Sequence, residues 1–302
     1  MYYKIRFMKL FNLLLFCLSG TLLFAQGRFD EVEIKEHKLT DNIYMLEGAG
    51  GNVGILISDD EVLMIDDQFA PLSEKLMAKI KELSGGKTTQ LINTHWHGDH
   101  TGGNENFGND GAMIIAHENV RKRMSTPIKR SGQVQPSAPE IALPVITFQE
   151  GMELHFLNEP IIVKHVHNAH TDGDSFVFLP ESNILHMGDC FFNGRFPYID
   201  LSSGGSLSGA LVAAKTGLML ADEATQIIPG HGSMATREDL VSYEKFLTVM
   251  TDRITKFVAE GGTKETMDPA VLTKGYEHMA SSFITAERFA NIILQSTLEE
   301  NP

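Results

Sequence analysis

The chain has 302 residues, 42% hydrophobic and 21% charged, with a formal net charge of −14 at pH 7. That length suits one large layered domain with a sizeable core. The acidic balance argues against nucleic acid as a partner, because phosphate contacts need a surplus of Lys and Arg; its plain meaning is solubility.

The chain opens Met1-Tyr2-Tyr3-Lys4-Ile5-Arg6-Phe7-Met8-Lys9, followed by an apolar run from Leu10 to Ala25. A basic start, a short apolar stretch and a small residue before Gln26 read as a secretory signal peptide over residues 1–25. The run is broken by Asn12, Ser19, Gly20 and Thr21 and is short for a spanning helix, a retained anchor being the alternative. Phe16 before Cys17 argues against lipidation. Residues 26–302 are then expected to form a single periplasmic or secreted domain that leaves the membrane and acts on a small molecule. Cys17 goes with the leader, so Cys190 has no intrachain partner and stability must come from core and metal. Nothing in the sequence sets an oligomeric state.

Between Val32 and Asp67, short β-type runs at Ile43–Leu46, Val53–Ile57 and Val62–Ile65 read as an antiparallel meander. Its Gly-rich turn, Glu47 to Asn52, is either a mobile flap or a hairpin turn, since glycine serves both. Ser73 to Ser84 puts Leu76, Met77, Ile80 and Leu83 on one helical face, and Gly85-Gly86 end it. A buried strand, Thr88 to Thr94, leads to the loop below. Met113–Ala116 is another strand, and Arg121 to Pro139, basic and Pro-bearing, reads as an exposed excursion. Strands resume at Ile146–Phe148, Met152–Phe156, Ile161–Val163, Phe176–Leu179, Ile184–Met187 and Gln226–Pro229. Helices are expected over Leu207–Leu220, from a capping box at Thr236-Arg237-Glu238-Asp239 to Ala259, and over Thr285–Leu298. Two face-to-face sheets with helices outside would bury every apolar face.

The chemistry sits in Thr94-His95-Trp96-His97-Gly98-Asp99-His100. Three imidazoles and a carboxylate within six residues are a metal-ligand set, and mixed nitrogen and oxygen donors suit zinc. His95 and His97 alternate and can point the same way, while Asp99 and His100 turn away towards a second ion. Later strand ends carry His170, Asp189 and His231. Shared out, His95, His97 and His170 take one zinc, Asp99, His100 and His231 the other, and Asp189 bridges. Three histidines leave an open position at the first ion, and two zincs roughly 3.5–4 Å apart would hold a hydroxide and polarise a carbonyl. Asp99 is the group to orient that hydroxide and take its proton, the catalytic role in this reading.

On His95, His97, Asp99 and His100, which fill an HxHxDH signature, and on the later stations His170, Asp189 and His231, the chain resembles the metallo-β-lactamase superfamily from about Asn42 to Gly232. The resemblance implies a four-layer αββα sandwich of the α/β class, two zinc ions, and a role for Asp66 in supporting a ligand. The layout from His170-Thr171-Asp172-Gly173-Asp174-Ser175 to Gly188-Asp189-Cys190 is similar to the cysteine-bearing dizinc lactamases, but Asp189 stands at their cysteine. Phe192 stands where they carry a lysine for the substrate carboxylate, with Arg195 a nearby substitute. The expected activity is lactamase-like hydrolysis of an amide or lactam bond. Thioesterases of the glyoxalase-II type, lactonases and phosphodiesterases of the same fold are the alternatives, and a diiron redox module is the non-hydrolase one.

Other candidates receive plainer expectations. Phe192, Asn193 and Arg195 either wall the substrate pocket or pack. His117 is a support or surface residue, His165 and His167 are strand histidines of which one could line the pocket, and His186 could orient a ligand. Cys190 is read as a small buried hydrophobe, Trp96 as packing under the loop, and His37, His155 and His278 as ordinary surface residues.

Overall fold

The computed structural model describes residue 27 and residues 29–59, 61–130 and 133–300. The expected leader and Cys17 lie outside the described residues. Strands β1 (Lys35–Lys38), β2 (Ile43–Glu47), β3 (Val53–Ser58) and β4 (Glu61–Ile65) form the antiparallel meander. Helix α1 (Ser73–Ser84) then crosses to β5 (Lys87–Asn93), parallel to β4. Short helices α2 (Gly98–Thr101) and α3 (Asn104–Asn109) precede β6 (Met113–His117), and α4 (Glu118–Met124) follows it. A small hairpin, β7 (Ile128–Arg130) and β8 (Gln133–Gln135), leads to β9 (Ile146–Phe148), which closes a seven-stranded sheet in the order β1-β2-β3-β4-β5-β6-β9.

The second sheet has five strands in sequence order: β10 (Gly151–Phe156), β11 (Glu159–His165), β12 (Ser175–Leu179), β13 (Ile184–Phe192) and β14 (Gln226–His231). Helix α5 (Leu207–Leu220) connects the last two, which pair in parallel. The chain ends in α6 (Arg237–Ala259), α7 (Pro269–Leu272) and α8 (Ala286–Glu300).

Strand alternation sorts the side chains into layers. In β4, Leu63 and Ile65 face the second sheet, while Val62 and Met64 face α1. In β14, Ile228 faces the first sheet and Ile227 the outer helices. One core thus lies between the sheets, a second under Leu76 and Ile80 of α1, and a third, the largest, under α5, α6 and α8. This is the helix–sheet–sheet–helix arrangement expected from the order of elements. Among the described residues, no helix is long and apolar enough to cross a membrane.

Most elements fall where the sequence places them, including the Thr236/Asp239 capping box and the α5 bounds. Two differ. The excursion from Arg121 begins inside α4, whose single buried apolar residue, Val120, makes too faint a periodic signal. Arg123 there grips Asp172 with two bonds of 2.7 Å, so the excursion's base is tied to the loop after His170. Asp189 is not at a strand end: β13 runs on through Cys190, Phe191 and Phe192 after an irregularity at Gly188, whose φ of 51° lies in the left-handed region open to glycine.

His117 and His165 join the two sheets at this edge. Their rings stack with centroids 3.9 Å apart, the His117 ring accepts from the Asn119 N–H, and the His165 Nδ1–H donates to the Asp174 carbonyl. These are satisfied packing histidines. Burial pushes both down, His165 to about 4. A lowered imidazole pKa means that the unfolded chain takes up the proton first, so the stabilisation is whole above about pH 6.5 and drains away towards pH 4. Thermal midpoints should therefore fall across that window, and His165→Gln should flatten the fall relative to the unaltered protein; identical slopes would contradict this.

Candidate metal centre

The loop edge between the sheets gathers all seven sequence-predicted donors into two groups. Ligating atoms of His95, His97, His170 and Asp189 lie within 4.8 Å of one another, and so do those of Asp99, His100 and His231. Strand β5 delivers His95, and His97 follows as the residue before α2. That single helical turn swings Asp99 and His100 away from the first pair, which is why one short motif serves two groups. His170 ends the turn after β11, Asp189 lies in β13, and His231 ends β14.

Asp189 stands between the groups. Its Oδ1 lies 3.1 Å from His100 Nε2 and 3.3 Å from His231 Nε2, and its Oδ2 lies 3.4 Å from His170 Nε2 and 3.8 Å from His95 Nε2. His97 Nδ1 faces His170 Nε2 at 2.8 Å. Asp99 Oδ2 lies 3.3 Å from His231 Nε2.

On His170, His97 and His100 the opposite nitrogen is occupied, which fixes where the inward lone pair points. His170 Nδ1–H donates to the Tyr198 carbonyl at 2.7 Å, His97 Nε2 meets Asp200 Oδ2 at 2.9 Å, and His100 Nδ1 meets Asp66 Oδ2 at 2.7 Å. Asp66 also accepts from the Thr94 N–H and hydroxyl, at 2.7 Å each, so the residue implied by the resemblance sits against His100. What is left inward is unsatisfied: His95 Nε2, His100 Nε2 and Asp189 Oδ1 are buried without a hydrogen-bond partner. Orphaned buried donors and acceptors of this kind cost about 1–3 kcal/mol each, and a cation shared among them is the chemistry that answers it. The residues present fit a metal.

Electrostatics differ between the two groups: the first favours neutral, ligating rings, while in the second the carboxylates push His100 and His231 up towards the protonated form, a positive charge that a metal ion would replace. Burial pushes His95 well down and His170 to about 4, favouring the neutral ring that ligates. Burial would raise Asp99, but His100 and His231 hold it at about 2. Burial would likewise lower His231, yet Asp189 and Asp99 lift it to about 9.

The Gly-rich turn is a pinned turn, not a free flap. Gly51 N–H donates to the Asp99 carbonyl, Asn52 N–H to the Gly230 carbonyl, and Gln68 Nε2 to the Gly51 carbonyl. A Cβ on Gly51 would fall 2.2 Å from His100 Cε1. Gly51→Ala is therefore expected to displace the His100 ring and weaken metal retention at the second group at least tenfold, with the fold intact. Competition with a chelator measures it; unchanged retention would refute the contact.

Several contributors escaped the sequence reading. Asp200, which burial would raise but which bonds from His97, Ser202 and Ser203 hold well below the usual carboxylate range, orients His97. Asp174 accepts from the His170 and Thr171 N–H groups and fixes the turn carrying His170; burial lifts it to about 7. Its visible signal was a second aspartate in the His170–Ser175 run. His186 touches no donor: it bonds the Asn52 carbonyl and the Gly188 N–H, shaping the bulge before Asp189. Cys190 is 2% exposed, its thiol pushed up by burial. Phe192 is 4% exposed and stacks on His231 at 5.1 Å. Asn193 donates from its backbone to the His231 carbonyl, and from its side chain to the Ser233 carbonyl, while Arg195 is exposed. Trp96 is half-buried, with the Arg123 guanidinium carbon 5.8 Å from its ring centroid.

A profile of the metallo-beta-lactamase superfamily matches residues 46–237, and the chain belongs to that family. Among curated relatives, a hydroxyacylglutathione hydrolase of Nitrosococcus oceani is 28% identical over 173 residues, which is 57% of each chain. The chain thus spans little more than half of that relative. A type 2 metallo-beta-lactamase of Bacteroides fragilis is 23% identical over 234 residues, covering 72% of this chain and 85% of that one. Among solved structures, a metallo-beta-lactamase from Pontibacter korlensis superposes with a TM-score of 0.60 at 18% identity, covering 72% of this chain and 99% of its own. The DIM-1 metallo-beta-lactamase gives 0.58 at 20% identity, with the same coverage. At such identities the structures speak for the fold.

Proposed function

We propose that the protein is an exported dizinc hydrolase that cleaves a carbonyl substrate of the amide or lactam type. The observation that carries the reading is Asp189, one carboxylate turning one oxygen to each group of donors. His95, His97 and His170 would hold one ion, Asp99, His100 and His231 the other, with Asp189 shared. Bound zinc would supply water acidified to near neutrality and a Lewis acid for the carbonyl oxygen. Asp99, held ionised by its histidine neighbours, would orient the attacking water and take up its proton on the carboxylate oxygen left free. Asp66 and Asp200 keep the imidazoles in the ligating tautomer, and the Tyr198 carbonyl does so for His170. Export rests on the basic and apolar opening of the chain.

Thioester hydrolysis is a second reading, favoured by the aspartate at the position where the dizinc lactamases carry cysteine and by the hydroxyacylglutathione hydrolase relative. A panel of a cephalosporin, a carbapenem, a lactone, a thioester and an aryl phosphodiester separates these. Turnover of a lactam supports the proposal, turnover of the thioester alone moves it to the second reading, and turnover of the phosphodiester alone overturns both. Metal analysis of protein purified without added metal should give two zincs; two irons with visible absorption would remove the hydrolase assignment.

A further inference from the structure

Residues 29–34 precede the region matched by the family profile, yet they reach the metal centre through a single turn. The segment is held against α1. From that helix the Lys75 ammonium donates to the Phe29 carbonyl at 3.0 Å and to the Asp30 and Val32 carbonyls at 2.7 Å each. All three of its hydrogens are thus engaged by the backbone of one short stretch. Bonds from a charged donor are the stronger kind, and three of them from one group fix the stretch in place. Phe29, Val32 and Ile34 pack on the core under α1, and the Phe29 ring centroid lies 5.4 Å from that of Phe69.

What the segment presses on is the Gly-rich turn between β2 and β3. A Cβ on Gly48 would fall 2.9 Å from Ile34 Cδ1, so the contact there is direct. A Cβ on Gly50 would fall 3.1 Å from the Phe69 ring on one side and 3.1 Å from Asp99 Cβ on the other. Gly50 has a φ of 121°, and its bare backbone fills that gap. On the inner side the Gly51 N–H donates to the Asp99 carbonyl at 3.1 Å. The turn is therefore clasped between the opening of the domain and the short helix that carries Asp99 and His100. Glycines have no side chain to absorb a shift, so displacement of Phe69 or Ile34 passes to the donors beneath.

We propose that residues 29–34, locked by Lys75, position the second group of donors. With the lock closed, Ile34 and Phe69 press the turn onto Asp99 and His100; with it broken, the turn lifts and that group loosens while the first is kept. Lys75 and Phe29 are positioning residues: both act through the turn, and neither belongs to the donor set. This goes beyond the hydrolase reading, since it holds whatever substrate the centre takes.

Hydrogen exchange on the protein as purified tests the lock. The Gly51 amide reads the turn, and the Ile227 amide, bonded to the Ala235 carbonyl at 2.8 Å, reads the fold as a whole. Lys75→Met and Phe29→Ala should each speed Gly51 exchange at least tenfold relative to Ile227, and Lys75→Arg, which keeps a charged donor, should return most of the protection. Lys79→Met is the control, because it breaks ion pairs of the same helix with Glu36 and Glu82 and leaves the lock untouched. Chelator competition should then release one of the two ions five- to tenfold more readily in Lys75→Met, with the other unchanged. Gly51 exchange that stays unaltered, that rises only in step with Ile227, or that responds equally to Lys79→Met overturns the proposal. So does faster exchange with both ions held as before. Loss of Gly51 protection in Lys75→Met, in a protein that proves to carry no metal, supports the lock and overturns only the dizinc reading.

Discussion

Asp189→Ala is expected to drop the metal content from two ions per chain to one or fewer and to cut kcat/KM by at least a thousandfold. The buried carboxylate faces His95, His100, His170 and His231, two through each oxygen, and so serves both groups at once. Its removal takes the counter-charge from between His95 and His170, and leaves Asp99 to face His100 and His231 alone. Breaking a buried ionic pair from one side costs about 3–5 kcal/mol, enough to expel an ion even where its other ligands remain. Asp189→Asn refines the point, because an amide keeps the shape but offers one acceptor, and should retain one group better than the other. Elemental analysis beside steady-state kinetics reads both. Two retained ions with undiminished turnover in Asp189→Ala would refute the bridging role.

Asp66→Ala should cost several kcal/mol of stability and loosen the second ion as well. Its carboxylate accepts three bonds of 2.7 Å, from the Thr94 N–H, the Thr94 hydroxyl and His100 Nδ1, and neither Asp66 nor His100 is exposed to solvent. Truncation orphans all three, at about 1–3 kcal/mol each before relaxation. Asp66 also has a φ of 61°, which asparagine tolerates. Asp66→Asn therefore isolates the electrical part. The backbone stays content, but an amide N–H turned to His100 disfavours the tautomer whose Nε2 lone pair faces inward. A modest fall in thermal midpoint with a 10- to 100-fold fall in metal affinity is the expected split. Equal losses in Ala and Asn would assign Asp66 to folding alone.

The donors were legible because each is a chemically loud residue at a turn: His95 to His100 crowd one loop, and His170 and His231 follow apolar runs. Asp189 was legible as a donor but not as a mid-strand residue, since a left-handed Gly188 leaves no periodic trace and Cys190-Phe191-Phe192 read equally well as wall or strand. Asp200 left no mark in the sequence, and Asp174 only that of a second aspartate in the His170–Ser175 run, for the opposite reason. A carboxylate in a polar loop looks like every other, and only the His97 and His170 contacts set it apart. The layers could be foreseen from alternation in β4 and β14, whereas the grip of Lys75 on the Phe29, Asp30 and Val32 carbonyls depends on how the opening segment docks on α1, a long-range packing result that no local pattern encodes.

Cys190 has a consequence for anyone handling the protein. Its sulfur lies in the core under α6, beside the metal-facing carboxylate, and is the one thiol among the described residues. Alkylating reagents and peroxide are kept away from it for as long as the native packing lasts. The rate at which such a reagent consumes the side chain would then time the opening of the barrier around it, a built-in clock that needs no attached dye.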